Sequence, residues 1–184
     1  MSLKKYSEKR NFNSTTEPKG DAVKPKKELV FVVQKHAASH LHYDFRLEMD
    51  GVLKSWAIPK GPSMNPADKR LAIMVEDHPY DYKDFEGIIP EGNYGAGKVI
   101  VWDNGTYTLA DTQEEGDIKS DLEKGKLGII LKGHKLKGEF TLVRLKGKQE
   151  NAWLLIKKND GDGSYDDVLL QDKSVVSHVT LEDL

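Results

Sequence analysis

The stretch Leu41–Glu48, LHYDFRLE, alternates without a break: Leu41, Tyr43, Phe45 and Leu47 share one parity, and His42, Asp44, Arg46 and Glu48 the other. A period of two puts successive side chains on opposite faces, which a β-strand satisfies and a helix does not. Asp50-Gly51 follows, and Asp-Gly between two apolar-patterned runs is a strong short-range hairpin signal. Val52–Ile58 then reads as the second strand. Further strands are expected at Glu28–Gln34, Arg70–Glu76, Lys98–Trp102, Gly105–Leu109, Lys126–Leu131, Gly138–Leu145 and Ala152–Lys157, with a tight turn at Asn104-Gly105. Only Glu114–Lys124 reads as a helix, with Ile118 and Leu122 one turn apart and Gly125 as its stop. Short strands separated by turn signals predict a mainly β fold, an antiparallel barrel or sandwich over residues 29–158.

The flanks differ in charge. Residues 1–28 carry eight Lys/Arg against four Asp/Glu and few large apolar side chains, so they read as a basic arm unable to form a core alone. Residues 159–184 carry one basic group against seven acidic ones. They read as an acidic tail, joined through the turn-rich NDGDGS and docking on the barrel by Val175, Val176 and Val179. Residues 123–158 carry ten basic groups against three acidic. Under a net charge of −2, such asymmetry suits a polyanion-binding face. The chain has no cysteine, which excludes disulfides and thiolate metal sites and fits a reducing cytoplasm. No apolar run approaches the roughly 20 residues that span a bilayer, and MSLKKYSEKR lacks the apolar core of a signal peptide.

Three of six histidines fall within seven residues: His36, His40 and His42. On one strand face, residues two apart are separated by roughly 6.6 Å, so His42 and Asp44 can share an ion. His36 has the same parity but would lie roughly 20 Å from His42 in an unbroken strand. It joins only if the chain bends, and Ala37-Ala38-Ser39 is small enough to allow this. His40 is the alternative third ligand. Two imidazoles and a carboxylate suit Mn²⁺, Fe²⁺ or Zn²⁺, with positions left for water and substrate. Arg46, next along the face, can fork onto phosphate oxygens.

A second polar cluster is VEDHPYDYKDFEG. Pro79 biases His78 toward extended backbone, so His78 ends a strand. His78 with Tyr82 can hold a phosphate or protonate a leaving alkoxide. GNYGAGKV matches the spacing of a phosphate loop through Lys98, but Val99 occupies the Ser/Thr position and VIVW reads as a strand. Without a helix N-terminus to present its amides, the match is rejected in favour of a turn between strands.

KHAASHLHYDFRLEMDGVLKSWAIPKGPS, MVEDHPYDYKDFEGIIPEGNYGAGKVIVWDNGTY and WLLIKK resemble the 3′-phosphoesterase domain of DNA ligase D, the bacterial end-joining ligase. The resemblance runs from about Tyr6 to the C-terminus. It implies a compact β barrel with short flanking helices and a manganese-dependent activity in two steps. A ribonuclease step removes a 3′-terminal nucleoside, and a phosphomonoesterase step leaves a 3′-OH. By the same resemblance His36, His42 and Asp44 bind the metal, while Arg46, His78 and Tyr82 surround the phosphate. Gln34, Lys60, Arg10 and Glu17 match further substrate-side positions. Asn11 stands where the family has Asp, and Ala37 where an acidic residue is common, which removes negative charge near the site and bears on the ribonuclease step. The implied setting is a free-standing monomer in the cytoplasm, on the nucleoid when bound to DNA. Its substrates are DNA or RNA–DNA primer-template 3′ ends, and its partners a separate ligase and polymerase. The residue pattern leaves two rivals: a facial-triad Fe(II) oxygenase and a non-catalytic DNA-end-binding module.

Overall fold

The computed structural model describes residues 2–20, 28–110, 117–147 and 149–184. Among them run nine strands: β1 (Leu29–Ala37), β2 (Leu41–Met49), β3 (Val52–Ile58), β4 (Lys69–Pro79), β5 (Gly87–Ile89), β6 (Gly97–Leu109), β7 (Lys126–Gly133), β8 (Lys137–Arg144) and β9 (Ala152–Lys157). Helix α1 (Lys4–Glu8) precedes them and α2 (Ile118–Lys124) joins β6 to β7. All pairings are antiparallel, in the order β1-β2-β3-β4-β9-β8-β7-β6, and β6 pairs back onto β1. Eight strands thus close into a barrel. Strand β5 adds to Gly97–Val99, the part of β6 that β7 does not reach.

The expected β2–β3 hairpin turns at Asp50 and Gly51, both left-handed with φ of 50° and 79°. Positive φ at both central residues gives a two-residue turn whose twist matches its strands. Asn104-Gly105 is not the expected turn: β6 runs straight through it. Val33 pairs with Asp103 and Gln34 with Val101, so Trp102 is the extra residue of a bulge. Gly105 is glycine because a Cβ there would lie 2.0 Å from the carbonyl oxygen of Lys132 on β7. A glycine inside a strand marked close backbone approach. The expected helix at Glu114–Lys124 begins later: Asp117 caps it by accepting from the Lys119 amide, and left-handed Gly125 ends it. Residues 114–116 lie outside the described residues.

The barrel interior is filled by side chains, including fully buried Phe45, Trp56, Trp102, Phe140 and Trp153. A second apolar cluster lies on the outer face: Val32, Leu53, Tyr82, Phe85, Ile89, Val99 and Val101, closed over by Tyr6 from the arm. The polar parity of β2 is therefore buried from Asp44 onward, with His42 partly exposed. Arg46 is 3% exposed and Asp44 7%. The tail also packs: Trp102 Nε1 donates to the Gln171 carbonyl, the Val175 amide donates to the Val101 carbonyl, and Val168 and Leu181 are buried. No helix among the described residues is long and apolar enough to cross a membrane.

Candidate active site

Strands β1 and β2 are consecutive and antiparallel, and the chain reverses at residues 38–40. The bend that His36 required is this reversal, and it puts His36 directly opposite His42 in the register. Directly opposed residues have Cβ atoms about 4.5–5.5 Å apart, so the separation of an unbroken strand never arises. The two imidazole centroids are 4.8 Å apart. Gln34 opposes Asp44, and Val32 opposes Arg46.

Backbone carbonyls set both rings. His36 Nε2 lies 2.7 Å from the Gly95 carbonyl, and His42 Nδ1 lies 2.9 Å from the His40 carbonyl. A carbonyl only accepts, so each of these nitrogens carries a proton, and in the neutral ring the lone pair falls to the other nitrogen. The remaining lone pairs, on His36 Nδ1 and His42 Nε2, face Asp44 Oδ2 at 3.5 and 3.4 Å. One ligand atom from each of the three residues lies within 4.8 Å of the others. Three electron-pair donors converging, with the two imidazoles anchored through their far nitrogens, is an arrangement that fits a divalent transition ion. His40 is exposed, and its contribution to the set is its carbonyl; its ring stays outside the group.

Arg46 is gripped from several sides. Its Nε donates to Gln34 Oε1 at 2.7 Å, one terminal nitrogen donates to Ser55 Oγ at 2.9 Å, and the other lies 3.4 Å from Asp44 Oδ2. The guanidinium rests 4.9 Å above the Tyr82 ring. Burial would raise the Asp44 carboxyl, but Arg46 and the two imidazoles outweigh it and hold it well below the usual carboxylate range. Burial lowers His42, yet Asp44 and the His40 carbonyl raise it more, and the net shift is upward. Both shifts describe a centre that draws positive charge.

His78 enters from β4, where a register irregularity opposite Leu53 and Ser55 re-aims the strand end. Its Nδ1 lies 2.9 Å from the Glu76 carbonyl, and its Nε2 lies 3.3 Å from a guanidinium nitrogen of Arg10. A guanidinium only donates, so Nε2 is the acceptor and the ring is neutral. Burial, then Arg46 and Arg10, hold its pKa well below the ordinary value. The arm completes the wall: Arg10 stacks 3.9 Å over Tyr6, and Glu17 Oε1 accepts from Arg10 Nε at 2.9 Å and from the Tyr82 hydroxyl at 2.8 Å.

A cleft of about 480 Å³ joins these groups, lined by His36, His42, Asp44, Arg46, His78, Tyr82 and Arg10, with Leu41, Ile89 and Tyr94 among its apolar residues. Three of the sequence-predicted substrate residues lie elsewhere. Gln34 is fully buried beneath the cleft; its amide donates to the Tyr82 and Phe85 carbonyls at 2.7 and 3.0 Å while its oxygen holds Arg46. Glu17 is buried behind Arg10 and Tyr82. Lys60 lines an adjoining groove with Lys69 and Arg70 that shares Pro59 with the cleft. Asn11 and Ala37 do not line it either, and the Asn11 side chain caps a turn by accepting from the Asn13 amide. Sequence reasoning missed Ser55, Tyr6, Tyr94 and the Gly95 carbonyl. The outward parity of Ser55 on β3 was a usable signal, whereas a carbonyl 59 residues from His36 leaves no trace in residue type.

The sequence model of the DNA ligase D 3′-phosphoesterase domain matches residues 34–144, more than half of the chain, including the triad, Arg46, His78 and Tyr82. The chain belongs to this family. The family's name describes a phosphoesterase, a hydrolase of phosphate esters. Against the multifunctional non-homologous end joining protein LigD of Pseudomonas aeruginosa, this family member is 52% identical over 189 residues, covering 97% of its own length and 22% of that protein. It is 48% identical over 133 residues to the multifunctional non-homologous end joining DNA repair protein LigD of Mycobacterium tuberculosis, covering 72% and 16%. With the Mycolicibacterium smegmatis LigD, identity is 40% over 161 residues, covering 86% and 21%. The chain therefore spans about a fifth or less of the length of these relatives.

Proposed function

We propose that this chain heals DNA 3′ ends in end-joining repair, removing a terminal ribonucleoside and then the exposed 3′-phosphate to leave a 3′-OH. The observation that carries the reading is the convergence of two imidazole lone pairs and one carboxylate oxygen beside a buried guanidinium in an open cleft. His36, His42 and Asp44 would hold the divalent ion, manganese by resemblance to the family. Bound there, such an ion supplies Lewis-acid neutralisation of phosphoryl charge.

The chain's own residues bind and orient the phosphate. A guanidinium has five N–H donors. Three of them point at Gln34, Ser55 and Asp44, which leaves two for phosphate oxygens. Because Arg46 is held by Gln34 and Ser55 before substrate arrives, it stabilises added charge without reorganising. Arg10 supplies a second cation, and Tyr82 sets the floor beneath Arg46. With its Nε2 lone pair aimed at Arg10, His78 orients and accepts, so the geometry supports a positioning role over proton donation. Lys60, Lys69 and Arg70 in the adjoining groove suit the backbone of the duplex, as contacts that position and do not read bases. Activity in the cytoplasm with a ligase and a polymerase belongs to the same reading. An oxygenase would share the triad, but a guanidinium packed against the metal-side carboxylate suits an anionic substrate.

The test is a 5′-labelled primer–template ending in one ribonucleotide, incubated with and without Mn²⁺. A ladder resolving 3′-phosphate from 3′-OH products should show both with wild-type protein and neither with Asp44→Ala. Phosphate release by Asp44→Ala at the wild-type rate would refute the assignment.

A further inference from the structure

The reacting groups occupy only part of the cleft. Besides His40 and Glu76, the rest of its lining is apolar: Leu41, Ala57, Pro59, Val75, Ile89 and Tyr94. Two of these are large and open to solvent, Leu41 at 50% and Tyr94 at 49% exposed. The free energy of folding does not favour such exposure, and here it adjoins the candidate metal centre. Tyr94 belongs to the loop between β5 and β6, and the next residue, Gly95, supplies the carbonyl that orients His36. The ring is held in place: Lys9 Nζ lies 4.6 Å from its centroid and 3.4 Å from its hydroxyl, and Lys9 is itself anchored on Glu76 at 3.1 Å. A tethered, half-exposed aromatic beside a phosphate-sized polar centre has a simple use. Every base has a π-face, so stacking on such a ring grips a nucleotide without regard to sequence.

We propose that Tyr94, with Leu41 on the same cleft lining, forms a nucleobase-binding subsite for the nucleoside adjoining the scissile phosphate. This rests on the reading of the cleft as a 3′-end site. The cleft, about 480 Å³, lies within the range of sites for one small ligand. A single unstacked nucleotide therefore suits it better than a paired end. The polar groups take the phosphate, the apolar wall takes the sugar and base, and the repaired strand is selected by its end and not its sequence. A 3′ end that frays easily, through a mismatch or a ribonucleotide, reaches the subsite at lower cost than a well-stacked one.

The test is equilibrium binding in EDTA, where turnover is stopped, of primer-templates with a 3′-phosphate and either a normal or an abasic terminal residue. Wild-type protein should bind the base-bearing end roughly tenfold tighter than the abasic end. Tyr94→Ala and Tyr94→Leu should lose that difference by weakening only on the base-bearing end, while Tyr94→Phe and Tyr94→Trp keep it. The four-way comparison isolates the contact between ring and base from any change in the loop. Equal wild-type affinity for the two ends, or a difference that survives Tyr94→Ala, would overturn the subsite. Discrimination by wild type without any product in Mn²⁺ would instead overturn the 3′-end-healing reading and leave the subsite standing.

Discussion

At His78 a neutral ring is buried between two guanidinium groups, and this has a consequence for stability. Burial and the charges of Arg46 and Arg10 place its native pKa well below the ordinary 6.5. As pH falls through 6.5, the unfolded chain takes up a proton there that the native protein refuses, so the unfolded state binds more protons and stability declines. The His78 contribution is fully present above that pH and is lost as pH drops toward the depressed native value. Urea midpoints measured from pH 7.5 down to 5 should fall for wild type more steeply than for His78→Gln. His42 is shifted in the opposite direction, so the difference between the two proteins, rather than the wild-type slope, carries the prediction. Identical slopes would show that His78 takes up its proton in the fold as readily as in the unfolded chain.

Two elements, the β1–β2 pair and the N-terminal arm, divide the labour. The pair carries the donors, and the arm carries the clamp through Arg10 and Glu17, whose side chains are 4% and 0% exposed. Removing one partner of a buried ion pair costs about 3–5 kcal/mol where it strands the other charge, but Arg10 keeps a second buried carboxylate, Glu76, at 3.6 Å. Glu17→Gln should therefore lower stability toward urea by less than that and loosen Tyr82, while affinity for Mn²⁺ stays near wild type because the triad lies on β1 and β2. A parallel loss of Mn²⁺ affinity would show that the arm and the donors are one unit. The two elements also differ in how far the sequence reveals them. Strict alternation in Leu41–Glu48 exposes β2, its faces and the parity of His42, Asp44 and Arg46, and Asp50-Gly51 marks the next turn. The arm conceals its role, since among its described residues Tyr6, Phe12 and one arginine do the packing amid polar residues. Nothing periodic signals an element that borrows another element's core. Likewise, Gly105 looks like a turn because glycine records only that space or conformation is special, not which of the two.

On the scale of the whole molecule, the basic groups divide between the groove beside the cleft and strands β7 and β8. In a closed ring of eight strands, β8 lies four places from β2 in either direction. Of the exposed lysines of residues 123–158, Lys137 on β8 thus stands on the wall opposite β2, while Lys126 and Lys132 on β7 lie two strands from β1. Lys60, Lys69 and Arg70 line the groove that adjoins the cleft. Each phosphate neutralised adds about −0.9 to the slope of log affinity against log salt for duplex DNA. Replacing Lys60, Lys69 and Arg70 together by Ala should flatten that slope by about two to three. The same change at Lys126, Lys132 and Lys137, which line neither the cleft nor that groove, should leave it within error, and the reverse pattern would put the duplex on β7 and β8. All of this depends on a cation held between β1 and β2. Crystals grown with Mn²⁺ and measured at its absorption edge should show one anomalous peak within bonding distance of His36 Nδ1, His42 Nε2 and Asp44, lost in Asp44→Ala. A peak elsewhere in the molecule, or an unchanged one in Asp44→Ala, would contradict the account.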